Sequence, residues 1–146
     1  MQIQVFQKLP KEAQMIRKKV FMEEQGFRHE YDETDEAAEH LVAYENGEPI
    51  GTCRIFRDDE KDVYMLGRLA VLAQYRGKQA GAFLMQEAEK RVCEQGGTVL
   101  WLHAQCRAAG FYEKQGYRKS GETGLDEGCP HIWMSKALGQ RDVQIG

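Results

Sequence analysis

No apolar run in this 146-residue chain approaches the ~20 residues a membrane-spanning helix needs, and its N-terminus does not read as a secretory signal. Both absences point to a cytoplasmic protein that does not work in a membrane. Cysteine is sparse and unpatterned: Cys53, Cys93, Cys106 and Cys129 form no C-x-x-C pair, which argues against a disulfide framework and against a zinc site. They read as reduced thiols that mostly pack, and Cys129, after a glycine in a polar stretch, is the one candidate for reactivity. The four scattered histidines do not suggest a metal site either. A basic excess is missing too. Twenty Lys and Arg stand against 23 Asp and Glu, a net charge of −3, which excludes a general nucleic-acid binder. Proline occurs only three times, and no repeat or low-complexity segment appears. What remains is 42% apolar and 29% charged, an ordinary globular composition and enough for one core.

Within that composition the periodicities alternate between strand and helix. Gln2 to Phe6 alternates polar and apolar as a half-buried strand does. Ala13, Ile16, Val20 and Phe21 fall near helical spacing, and Gly26 is a plausible stop after Glu24. Residues 28 to 39 carry Glu30, Asp32, Glu33, Asp35, Glu36 and Glu39 and read as a solvated loop with at most a helical turn. Leu41 to Tyr44 and Ile50 to Phe56 flank Asn46-Gly47, a strong hairpin signal. After a second charged turn, Arg57 to Asp62, a longer strand runs Val63 to Val71, broken by Gly67, which marks a bulge or a close backbone approach. A long helix then carries Ala80, Leu84, Ala88 and Val92 at intervals of four, stopped by Gly96-Gly97. A strand from Val99 to Leu102, a short helix from Arg107 to Gln115 and two closing strands complete the chain, the last two joined by a Gly-rich acidic loop. Residues from 139 on read as a tail, leaving 1–138 as a single domain. The order β-α-β-β-β-α-β-α-β-β predicts a mixed α/β (α+β) fold, not a doubly wound parallel sheet.

The stretch most suggestive of chemistry is Gly67 to Met85, a strand feeding a helix through the basic turn Gln74-Tyr75-Arg76-Gly77-Lys78-Gln79-Ala80-Gly81-Ala82. Such a junction offers unpaired amides and a positive dipole end to an anion, and phosphate is the natural candidate. A Walker A loop is excluded, because Leu72 stands where its first glycine belongs and Gln79 where Ser or Thr belongs. The Rossmann fingerprint is excluded because only Gly77 and Gly81 are present, outside a first βαβ unit.

Gln74-x-x-Gly77-x-Gln79-x-Gly81-Ala82 resembles motif A of the GNAT acyltransferases, the acetyl-CoA-dependent N-acetyltransferase superfamily, written Q/R-x-x-G-x-G/A. Ala108-Ala109-Gly110-Phe111-Tyr112-Glu113-Lys114-Gln115-Gly116-Tyr117 resembles the family's later A-x-x-F-Y-x-x-x-G-F/Y signature. Arg17-x-x-Val20-Phe21-x-x-Glu24-Gln25, Asp32-x-x-Asp35 and Gly128-Cys129-Pro130-His131-x-x-Met134 are similar to the small bacterial ElaA-like and YjcF-like branch. Gln79 departs from the family pattern, standing where a second glycine is usual.

The resemblance implies a mostly antiparallel sheet of six to seven strands, helices on both faces, splayed at the strand before the long helix. It implies acetyl-CoA as acyl donor, with no metal. The pyrophosphate would rest on amides from Arg76 to Ala82 (Gly77, Lys78, Gln79, Ala80 and Gly81 between them), aided by the Arg76 and Lys78 charges. Pantetheine would pair with backbone groups of Leu69, Ala70 and Val71, and Gln105 stands where many members carry an Asn touching it. Tyr112, beside Phe111, matches the tyrosine proposed to protonate the leaving thiolate, a phenol near pKa ~10 suiting a thiol near ~8.5. Glu24, His131 or an ordered water are the candidates for the base that deprotonates the acceptor amine. Glu24 could equally be a surface carboxylate paired with Arg17, and His131 a fixed structural group. The expected partners are acetyl-CoA and an amine, a cationic one if the acidic segment borders the cleft, with the protein a monomer or homodimer. A non-catalytic acyl-CoA-binding module is the alternative, and a nucleotide phosphotransferase is disfavoured.

Overall fold

In the structure, a computed structural model that describes residues 1–139, the elements follow the expected order. They are β1 (Gln2–Phe6), α1 (Lys11–Arg17), α2 (Thr34–Ala37), β2 (Glu39–Glu45), β3 (Glu48–Asp58), β4 (Val63–Val71), α3 (Ala80–Glu94), β5 (Val99–Gln105), α4 (Ala109–Lys114), β6 (Arg118–Asp126) and β7 (Cys129–Ala137). The seven strands form one mixed, mostly antiparallel sheet in the order β1-β2-β3-β4-β5-β7-β6. The expected tail falls largely on residues 140–146, outside those described. No helix of the described residues is long and apolar enough to cross a membrane.

The chain divides into two compact units: Met1–Phe56 with Leu66–Ala88, and Arg57–Met65 with the described residues from Glu89 on. In the first unit, β1, β2 and β3 pair antiparallel, with Ile3 opposite Ala43 and Leu41 opposite Cys53. Asn46 and Gly47 both take positive φ, 51° and 82°, the backbone a two-residue hairpin turn demands. Ala13, Ile16, Val20 and Phe21 pack with Val42, Ala70 and Leu72 into one apolar cluster. Each fully buried Ile or Val in it contributes roughly 1.5–3 kcal/mol. The helix carrying the first four residues does not remain α-helical. Lys18–Glu24 is π-helical, and Gln25 N–H donates to Val20 O at 3.1 Å. No glycine or proline marks this change in the sequence, because choosing between the fourth and fifth preceding carbonyl depends on packing.

In the second unit, β7 pairs antiparallel with both β5 and β6, with Gln105 opposite His131. The Gly-rich acidic loop expected there is strand instead. β6 and β7 extend to Asp126 and from Cys129, and the turn is only Glu127-Gly128, with φ 51° and 79°. It uses the same turn geometry as Asn46-Gly47 but hides it, since glutamate rarely accepts a left-handed backbone. Cys129 thus opens a strand, and Cys53, fully enclosed, has its thiol pushed up to about 12 by burial, so it is inert.

Candidate active site

In the first unit the basic turn is built as a phosphate cradle requires. The chain leaves β4, makes a short 3-10 turn at Ala73–Tyr75 and enters α3 at Ala80. Gly77 and Gln79 both have left-handed backbones, φ 81° and 71°, and a Cβ at Gly77 would meet nothing within 4 Å. The irregular residue of the motif is therefore a strained one, with Gln79 holding a conformation that glycine takes freely. Gln79 O accepts from Phe83 N–H at 2.9 Å, so the amides of Ala80, Gly81 and Ala82 belong to the first turn, where helical N–H groups lack intrahelical acceptors. Gly81 is simply helical. Lys78 Nζ lies 5.8 Å from the centre of the Tyr75 ring.

Arg76 is already engaged. Its Nη1 and Nη2 donate to the two carboxylate oxygens of Glu24 at 2.7 and 2.8 Å, and its Nε donates to Val71 O at 2.9 Å. This fork ties the end of the π-helical segment to the end of β4. Glu24 is thus paired with Arg76 and not with Arg17, and both its oxygens face a guanidinium.

In β4 the left-handed backbone falls beside the glycine expected to mark a bulge. Arg68, not Gly67, takes the left-handed backbone, with φ 53°. A non-glycine residue held there costs about 1–3 kcal/mol. The space above Gly67 is used differently, since a Cβ there would lie 3.5 Å from Arg54 Nε. Leu69, Ala70 and Val71 follow directly, and Leu72 N–H returns to Ile50 O at 2.9 Å.

The acidic segment is not a solvated loop. Glu30 and Asp35 are 3% and 5% exposed, and Arg17 and Arg54, at 1% and 4%, are buried with them. Arg17 bridges Glu30 and Asp35 at 2.9 and 2.8 Å. Arg54 bridges Asp32 and Asp35 at 2.7 and 2.8 Å. Arg68 bridges Glu30 and Asp32 at 3.0 and 3.3 Å. Each arginine takes a different pair of the three carboxylates, so the six groups close a ring of alternating charge. His40 Nε2 caps it at Asp35 O, 2.9 Å away. Burial pushes the Asp35 carboxyl up, but hydrogen bonds from Arg17 and Arg54 outweigh it and hold the group well below the ordinary carboxylate range. Nothing in residues 28–39 alone signals this; the partners lie in α1, β3 and β4. The available hint was an arginine set among apolar neighbours in each of two strands, Arg54 in β3 and Arg68 in β4.

In the second unit, Tyr112 is buried on α4, 9% exposed, with Phe111 edge-on at 5.1 Å and Tyr117 at 6.1 Å. Gln105 ends β5 and does not cap the following turn with its side chain; its Oε1 accepts from Arg107 Nε at 2.8 Å. His131 Nδ1 lies 2.8 Å from Cys129 O. A carbonyl only accepts, so Nδ1 carries the proton, and in the neutral ring the Nε2 lone pair is the basic one. The His103 ring stacks on Trp133 at 4.5 Å and lies 5.0 Å from His131. Lys61 Nζ covers the Trp133 ring at 5.0 Å. Partial burial, with His131 next to it, lowers the His103 pKa. The register could have revealed this shelf, since His103 and Trp133 alternate with buried Leu102 and Met134 and share the other face. Among the described residues, no group of three or more His, Cys, Asp or Glu side chains could hold a metal.

Comparison with known proteins agrees with this architecture. YjcF of Bacillus subtilis (strain 168), an uncharacterized N-acetyltransferase, is 37% identical over 130 residues, covering 86% of this chain and 91% of its own. The crystal structure of Escherichia coli ElaA superposes with a TM-score of 0.81 at 25% identity, over 92% of this chain and 98% of that one. An aminoglycoside 6'-N-acetyltransferase complexed with coenzyme A shares the fold, with a TM-score of 0.73 at 19% identity over 97% and 99% of the two chains. The sequence model of the acetyltransferase (GNAT) domain matches residues 8–138. The chain belongs to the GNAT family and is an acetyltransferase.

Proposed function

We propose that residues 1–138 act as a single N-acyltransferase domain, moving an acetyl group from acetyl-CoA to a primary amine by direct attack. The observation that carries this is the pair of left-handed residues, Gly77 and Gln79, opening onto the amides of the 15-residue helix α3. The coenzyme A complex of a protein with the same fold supports the choice of donor. Amides from Gly77 to Ala82 and the Lys78 ammonium hold the pyrophosphate. Arg76 serves as a strut to Glu24, and its positive field is shared with that carboxylate. The backbone of Leu69, Ala70 and Val71 holds the pantetheine arm, with Gln105 and Phe111 as further contacts. An N–H near Val71 steadies the oxyanion.

Tyr112 gives its phenolic proton to the departing thiolate. His131 is the better candidate base, because its Nδ1–H is spent on Cys129 O and its other nitrogen has the proper tautomer. Glu24, held by the Arg76 fork, is the weaker one. The ground for a cationic acceptor narrows, since Glu30, Asp32 and Asp35 are already neutralised by arginines. Release of free CoA with a panel of primary amines tests the reading. Wild-type turnover with at least one amine, a fall of about 10²-fold in kcat for Tyr112→Phe and an unchanged CoA affinity are expected. Tight CoA binding without turnover on any amine would instead favour a non-catalytic acyl-CoA-binding module.

A further inference from the structure

The ring of three arginines and three carboxylates has a geometry that packing alone does not require. Its carboxylates come from one short segment, residues 30–35, while its arginines come from α1, β3 and β4. One of those arginines is the residue whose backbone is strained. Arg68 Nε donates to Glu30 O at 3.0 Å and lies 3.0 Å from Glu30 Oε2, and its Nη2 reaches Asp32 Oδ2 at 3.3 Å. A left-handed arginine persists only where its surroundings over-determine it, and here the surroundings are these contacts. The residues that follow it at once are Leu69, Ala70 and Val71.

We propose that Arg68 is a positioning residue: its guanidinium, docked on Glu30 and Asp32, locks the left-handed backbone of β4 at Arg68 and so sets the direction of the Leu69–Val71 backbone that receives the acyl donor. The proposal rests on the reading that this backbone binds CoA. The 30–35 segment then works as an internal template for the cofactor strand. It does not serve as an acidic lure for the acceptor. Arg17 and Arg54 fix that template from the other side, each taking Asp35 together with one of the two carboxylates that Arg68 uses.

Arg68→Gly separates backbone from side chain, since glycine accepts the left-handed backbone without strain and loses the guanidinium. Two readouts are needed: amide hydrogen exchange at Leu69, Ala70 and Val71 without ligand, and the Kd of coenzyme A by calorimetry. The expected result is exchange at these amides at least tenfold faster, CoA binding about tenfold weaker, and partial recovery of both in Arg68→Lys. Unchanged exchange and unchanged Kd in Arg68→Gly would overturn the proposal. Faster exchange with unchanged Kd would keep Arg68 as the lock on this backbone but refute the assignment of that backbone to CoA. Should Arg68→Gly fail to fold, Asp32→Asn removes one docking contact at a half-exposed carboxylate. It should move both readouts the same way by a smaller factor, and no movement in either would overturn the proposal.

Discussion

Two stretches of this chain look alike on paper, residues 28–39 and residues 57–62. Both are short, acidic, open on an arginine and lead into a strand. In the folded protein they have opposite fates. Glu30 and Asp35 are buried and locked to arginines from three elements, whereas Arg57 sits on the surface, pairing with Asp59 and Asp62 of its own turn. Both regions hold arginine–carboxylate ion pairs, but the solvent around them differs. In water a pair of charges gains little over its hydrated parts. Under the protein surface, losing one partner strands the other in a medium that cannot solvate it.

The largest effect expected from breaking this contrast is at Arg17. Arg17→Ala leaves Glu30 and Asp35 facing each other without their shared cation, and should cost about 3–5 kcal/mol, lowering Tm by roughly 10 °C or more. A drop of only a degree or two in a thermal melt would mean that Arg68 and Arg54 by themselves suffice to neutralise Glu30 and Asp35.

Asp35 sharpens the comparison through pH. Its folded pKa is depressed, so the stability it contributes is present above pH ~4, where the unfolded chain's aspartate ionises, and is lost as pH falls through the folded value. The Tm gap between wild type and Asp35→Asn should therefore be several degrees at pH 7 and narrow steadily below pH ~4. A gap that stayed constant from pH 7 to pH 2 would show that shape, not charge, is what Asp35 supplies.

A smaller change is expected at Gln79, the other strained side chain near the proposed cofactor strand. With φ at 71°, Gln79→Gly should gain about 1 kcal/mol by relieving the left-handed backbone, and CoA affinity should stay the same or improve. A clear loss of affinity would reveal a contact from the glutamine side chain. Smallest of all is Arg57→Ala, which should leave Tm within error of wild type at any ionic strength, because that turn is hydrated with or without its ion pairs. A measurable fall there would erase the distinction between the two acidic stretches.

The sequence by itself determined the element order and the location of the phosphate-type turn. Both follow from local chemistry: hydrophobic period, an Asn-Gly hairpin, glycine punctuation, and a basic strand-to-helix junction. The motif pair around Gly77 and Tyr112 was legible for the same reason. Tertiary structure alone decided which carboxylates are buried, that Glu24 belongs to Arg76, that Arg68 takes a left-handed backbone, and that His103 and Trp133 form a shelf beside His131. Each of these is a contact between residues distant in the chain, some strained or desolvated in making it. A charge's environment is set by what folds over it, and no local window of sequence contains that information.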